Sequence, residues 1–179
     1  MGRRHGKHDH KARALFVSND VENSPSSEMG GMTFVEKSFF DRLTTKVIVH
    51  QESLKSLDPD LVSAFTKLWE SVIGQKDDSD EVISNDFIGT FGPDGSVVTK
   101  EAAVLFTQIG AERRATNYVR INPLAVNKSN NTSIIVYEYT WDFFGSDNNR
   151  VVECGQISET WSKTKDGWKL ISDSGGPTL

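Results

Sequence analysis

Residues 134–144 read Ile-Ile-Val-Tyr-Glu-Tyr-Thr-Trp-Asp-Phe-Phe. Successive side chains of a strand point to opposite faces, so Ile135, Tyr137, Tyr139, Trp141 and Phe143 share one side, and Ile134, Val136, Glu138, Thr140 and Asp142 the other. The ring-bearing side must be covered by helices or line a cavity, and its buried hydroxyls and indole N–H still need partners. Further β-rich runs occupy residues 117–126, 151–164 and 168–173. They are separated by Asn130-Asn131, by Gly145-Ser146-Asp147-Asn148-Asn149 and by Lys165-Asp166-Gly167, and turns this short predict an antiparallel meander.

The helical signals lie before the strands. Asp58-Pro59 is an N-cap and first-turn pair, followed by one apolar stripe of Leu61, Val62, Phe65, Leu68, Trp69, Val72 and Ile73 that ends at Gly74. Thr99 is placed to cap a short helix over residues 100–109, with Gly110 as its stop. Further upstream Phe39, Phe40, Leu43, Val47 and Leu54 recur at helical spacing, against a β-branched patch of Thr44, Thr45, Val47, Ile48 and Val49. Helices first and a meander last define an α+β fold with helices on one face of a curved sheet. The expected organisation is a disordered basic and polar tail (1–32), an extra N-terminal helical segment (33–57) and one α+β domain (58–179).

Composition narrows the function. A chain of 179 residues with 36% hydrophobic residues has material for one core of ordinary size. No run nears the 18 or so apolar residues of a bilayer span, so no membrane partner is expected. The net charge of −5 gives no global attraction to nucleic acid. One cysteine, Cys154, forms no internal disulfide, which points to a reducing, cytoplasmic setting. His5, His8 and His10 sit on the polar tail, where such clusters are more often incidental than metal-binding. Asp77, Asp78, Asp80 and Glu81 lack the glycine and distant glutamate of a calcium loop. Gly2 is followed by Gly at position 6 rather than the Ser or Thr of a myristoylation signal. With no phosphate cradle or ligand set, neither metal nor cofactor is expected.

Taken together, the element order and several short motifs resemble the nuclear transport factor 2-like superfamily, a cone of curved antiparallel sheet closed by N-terminal helices. The motifs are Asp86-Phe87 before Gly92-Pro93-Asp94-Gly95, Thr99-Lys100-Glu101, Ser158-Glu159-Thr160-Trp161, and Asp166-Gly167-Trp168-Lys169-Leu170. They are similar to the SnoaL-like branch. Asn122-Pro123 and Ser174-Gly175-Gly176-Pro177 also resemble the association domain of calcium/calmodulin-dependent protein kinase type II. Two arginines that line the cavity in that domain are missing here; the matching positions hold Tyr139 and either Glu159 or Thr160. The last strand, read as residues 168–173, carries no histidine.

The resemblance implies two functions. One is a non-catalytic domain that self-associates as a homodimer or larger homo-oligomer and holds a small hydrophobic ligand among Phe91, Tyr137, Trp141 and Trp161. The alternative is an isomerase, cyclase or dehydratase acting on a hydrophobic carbonyl compound, with Glu159 or Asp86 as general base and Tyr139 as hydrogen-bond donor. Burial in an apolar cavity would raise such a carboxylate toward neutrality, where a base works best. Glu159 faces either inward, beside Tyr139, or outward to solvent, and Asp173 near the chain end is expected at the surface rather than at the cone mouth.

Overall fold

The first long helix, α1 (Pro59–Val72), begins where the sequence places it. Asp58 stays extended and its side chain accepts the Asp60 N–H at 3.0 Å, with proline at the first helical position. The stripe then buries Leu61, Ala64, Phe65, Leu68 and Trp69. Asp58 also accepts from Lys163 Nζ at 2.7 Å and Trp168 Nε1 at 3.1 Å, pinning the start of α1 to the last hairpin. The Lys163 ammonium is the chief reason its carboxyl is held down at about 2.

The computed structural model describes residues 46–91 and 94–178. Among these residues seven strands form one sheet: β1 (Val47–Val49), β2 (Ile88–Phe91), β3 (Ser96–Thr99), β4 (Ala115–Lys128), β5 (Thr132–Phe144), β6 (Arg150–Thr164) and β7 (Gly167–Pro177). Their spatial order is β1-β4-β5-β6-β7-β2-β3. β4 to β7 form the expected antiparallel meander, while β1 joins β4 and β2 joins β7 in parallel. Register shifts between Thr116 and Tyr118, Pro123 and Ala125, and Thr160 and Trp161 break the ladder where strands must bend. The result is a curved, unclosed α+β cone whose ring-bearing face is covered by α1.

Ile135, Tyr137, Tyr139, Trp141 and Phe143 are all buried, so the period-2 reading of this strand holds. Phe65 meets Tyr137 edge-on at 5.2 Å between centroids and lies 6.4 Å from Trp161. Trp69 lies 5.4 Å from Tyr139, 6.1 Å from Tyr137 and 6.4 Å from Trp141. Beyond the helix, the Arg114 guanidinium covers the remaining rings, 4.6 Å from Trp141 and 5.0 Å from Phe143. Opposite Tyr139 stands Gly155, and a Cβ there would fall on the tyrosine ring.

Three expectations are corrected. The expected helix of residues 33–57 lies outside the described residues up to position 45. Over the rest, the chain forms β1 and a single 3-10 turn at Gln51–Leu54, not a helix. Val47 is buried and pairs with Val119, so the β-branched run follows its strand propensity once β4 offers an edge. The expected tail of residues 1–32 falls wholly outside the described residues. Downstream, α3 (Lys100–Arg113) runs through Gly110 instead of stopping there, and the last strand continues past Asp173 to Pro177. Between α1 and β2, the acidic loop makes one turn, α2 (Ser79–Val82).

Phe65 carries the contact between α1 and the sheet, so Phe65→Ala should lower the unfolding free energy by about 3–5 kcal/mol in urea titration. A loss below about 1 kcal/mol would show that α1 is not anchored there.

Candidate functional site

Counting from the hairpin pair Phe144 and Arg150, the register of β5 and β6 sets Ile135 opposite Glu159, Tyr137 opposite Ile157, and Trp141 opposite Glu153. Paired residues of an antiparallel ladder share a face, so both glutamates point with the rings. Glu159 is 3% exposed. Tyr137, one step along the diagonal, donates its hydroxyl to Glu159 Oε1 at 2.6 Å. Trp161 Nε1 donates to Oε2 at 2.8 Å, and Trp69 Nε1 donates to the Tyr137 oxygen at 3.2 Å. An indole can only donate and an ionised carboxylate only accept, so the chain has one polarity, from Trp69 through Tyr137 to Glu159, with Trp161 meeting the other oxygen.

Burial dominates the electrostatics of this group. It raises Glu159 from the ordinary 4.5 to about 7, against the two hydrogen bonds, which favour the charged form. Desolvation, then the Glu159 charge, pushes the Tyr137 hydroxyl well above its usual range. Asp173 pairs with Glu159 across β6 and β7, and burial raises it from 3.8 to about 6. Its carboxylate rests against Gly89, where a Cβ would collide with it and with the Phe87 ring. Tyr139 also has a carboxylate partner: its hydroxyl donates to Glu153 Oε1 at 2.8 Å, and burial, then the Glu153 charge, raises it far above its usual range.

The structure brings some of the expected residues together and separates others. Glu159 faces inward, but its tyrosine is Tyr137; Tyr139 reaches the other way along the diagonal, to Glu153. Asp86 is exposed, with its backbone N–H on Ser84 Oγ at 3.3 Å, so it is no cavity carboxylate. Phe91 is 49% exposed and lies 6.4 Å from Phe106, apart from Tyr137, Trp141 and Trp161. Trp69, Asp173 and Glu153 complete the site. Trp69 was legible as a stripe residue and not as a donor, while the two acids follow from the strand register. Among the described residues no group of three potential metal ligands converges, and every buried side-chain nitrogen and oxygen has a partner.

On the outer face Asp142, fully buried, accepts Asn117 Nδ2 at 2.7 Å and Arg150 Nη2 at 2.6 Å.

A curved sheet of this topology, with α1 lying across a ring-lined concave face, defines the nuclear transport factor 2-like class. Solved structures agree on the fold. The chain is similar to an NTF2-like protein from Cytophaga hutchinsonii, with a TM-score of 0.56, 17% identity, and coverage of 68% of this chain and 100% of that one. It is similar to a putative Ca/calmodulin-dependent kinase II association domain from Exiguobacterium sibiricum, with a TM-score of 0.55, 11% identity, and coverage of 69% and 98%. A hexachlorocyclohexane dehydrochlorinase (LinA) Type2 matches with a TM-score of 0.54 at 9% identity, covering 67% and 84%. No family model and no curated protein matches the chain. It therefore has the NTF2-like fold, with a dehydrochlorinase and a putative kinase association domain among its structural neighbours. Among the described residues no helix is long and apolar enough to cross a membrane.

The two raised carboxyls set the sign of a pH dependence. An acid whose folded value is raised keeps its proton in the native state after the unfolded chain has lost it, so stability falls as pH rises between the two values. For Asp173 that window runs from 3.8 to about 6, and for Glu159 from 4.5 to about 7. Unfolding free energy should therefore drop between pH 5 and pH 7.5, by on the order of 1–3 kcal/mol for the Glu159 part. In Glu159→Gln the decline should end near pH 6. Identical curves for the two proteins would refute the assignment.

Proposed function

We propose that this chain is a non-catalytic, self-associating cone domain. The observation that carries this reading is the state of Glu159: both oxygens are taken by Tyr137 and Trp161, and the rings of Phe65 and Trp69 close over the tyrosine. The carboxylate serves the join between helix and sheet. A small apolar or aromatic ligand, which this reading allows, would lie among Tyr137, Trp141 and Trp161, and Phe65 or Trp69 would have to shift to admit it.

Self-association through the outer face of the sheet is supported by the residues there. Cross-strand pairs Val136–Ser158, Thr140–Cys154 and Ile134–Thr160 flank the polar pair Glu138–Gln156 there, with Ile134 and Val152 exposed at 39% and 57%. An exposed sheet face can meet its own copy in an isologous two-fold contact, the commonest closed assembly. A neighbour that is a putative association domain lends this reading weight as analogy. Sedimentation velocity at micromolar concentration should show a dimer or larger species, and Val152→Arg should shift it to monomer. A strict monomer in the unmodified protein would remove the proposal.

One observation favours a second reading, an isomerase, cyclase or dehydratase acting on a hydrophobic carbonyl compound. A carboxyl near 7 hydrogen-bonded to a buried tyrosine is the pair that enolate chemistry needs. On that reading Glu159→Gln would cut turnover of such a compound by roughly two to four decades with the fold intact.

A further inference from the structure

Helix α3 buries none of its residues fully. Ala102, Ala103 and Val104 lean on the core, while Leu105 and Phe106 are exposed at 51% and 55%. Phe106 continues into Phe91, itself half exposed. Beside this apolar ridge runs an open groove of about 580 Å³ lined by Asp80, Asn85, Lys100, Glu101, Val104, Leu105 and Gln108. The charge of Lys100 is spent inside it: Nζ lies 3.1 Å from Asp80 Oδ1 and 2.9 Å from Asn85 Oδ1. What the groove offers a visitor is the Glu101 carboxylate and, one helical turn on, Leu105 and Phe106, with Asp77 and Asp78 in the neighbouring loop.

The chain carries a segment of matching chemistry. Residues 1–13 hold five basic residues and one acid, a net +4 of the −5 total, which leaves −9 on residues 14–179. Directly after Lys11 and Arg13 come Leu15, Phe16 and Val17. Arg13 precedes Leu15 and Phe16 by two or three residues, roughly 7–10 Å when extended, comparable to one turn of helix plus side-chain reach. The connection also suffices. Lys46 lies beside the start of β4, with Nζ donating to Thr116 O at 2.7 Å, and β4 follows directly on α3. From there to Leu105 is about 14 Å along the helix, and a chain of the 28 residues between Val17 and Lys46 has a reach of roughly 30 Å on random-coil scaling.

We propose that residues 11–17 of this chain dock on the α3 groove, Lys11 and Arg13 against its acidic end and Leu15 and Phe16 on the Leu105–Phe106 ridge. The occupant is this segment, in the same molecule or in a neighbouring copy.

Zero-length carbodiimide cross-linking of the full chain, read by mass spectrometry, tests this. Lys7 or Lys11 should join to Asp80 or Glu101 at least about five-fold more often than to Asp147 or Asp166, which lie in other turns. Leu105→Ser with Phe106→Ser should lower that yield about five-fold while leaving the acids and the unfolding midpoint in place. Leu15→Ser with Phe16→Ser should do the same and cannot disturb the helix. Mixing heavy- and light-isotope chains separates docking within a molecule from docking between copies, and either result supports the proposal. Joins spread evenly over the acids, joins unaffected by both variants, or joins of Asp80 or Glu101 to Lys128 or Lys165 of another copy would overturn it.

Discussion

A carboxylate taken out of water must be met by donors, and the centre of this fold is arranged around one such debt. Glu159 receives hydrogen bonds from Tyr137 and Trp161, and Tyr137 in turn receives one from Trp69 on α1. Two aromatic donors of the sheet thereby meet the two carboxylate oxygens, and the helix joins them through Trp69 on the tyrosine oxygen. Hydrophobic contact alone would let α1 slide along a ring-covered surface, whereas the Trp69 indole donating to the Tyr137 oxygen fixes its position. The cost is visible in the raised Glu159, since burial works against the charge that the donors favour.

Curvature and site depend on the same ladder. The register break between Thr160 and Trp161, with Ile171 of β7 as the extra residue, lies next to Glu159, where Trp161 turns its indole back to the carboxylate. Gly155 gives Tyr139 room to lie flat over β6, and Gly89 gives Asp173 room beside Phe87. At the far end of α1, Asp58 links the helix cap to Lys163 and Trp168. The helix is thus held at its start by an exposed ion pair and in its middle by a buried hydrogen-bond chain. Being dry, the second suffers far less from salt screening.

The parts of this arrangement legible in the sequence are those with a period or a cap. Residues 134–144 alternate strictly and the structure alternates with them, except at Asp142, which the outer face buries against Asn117 and Arg150. Asp58-Pro59 and the stripe from Leu61 to Trp69 announce α1 because cap and periodicity agree. Residues 46–57 misled because three residues of strand are decided by an edge contributed from Val119 to Ile121, seventy residues away. Asp86 and Phe91 misled because a motif resemblance carries residue identity without exposure. The partner of Glu159 was missed by one diagonal step: with the register counted from the loop at residues 145–149, Ile135 faces Glu159 and Tyr137 becomes its neighbour.

Tyr137→Phe tests most directly whether the buried chain is a structural join. The change keeps the ring and removes only the hydroxyl, leaving Glu159 short of a donor and Trp69 short of an acceptor. The account predicts a loss of about 1–3 kcal/mol in unfolding free energy at pH 7.5. A site poised for chemistry would behave otherwise, since replacing strained catalytic groups tends to leave stability unchanged or raise it. A Tyr137→Phe protein as stable as the unmodified chain, or more so, would contradict the account.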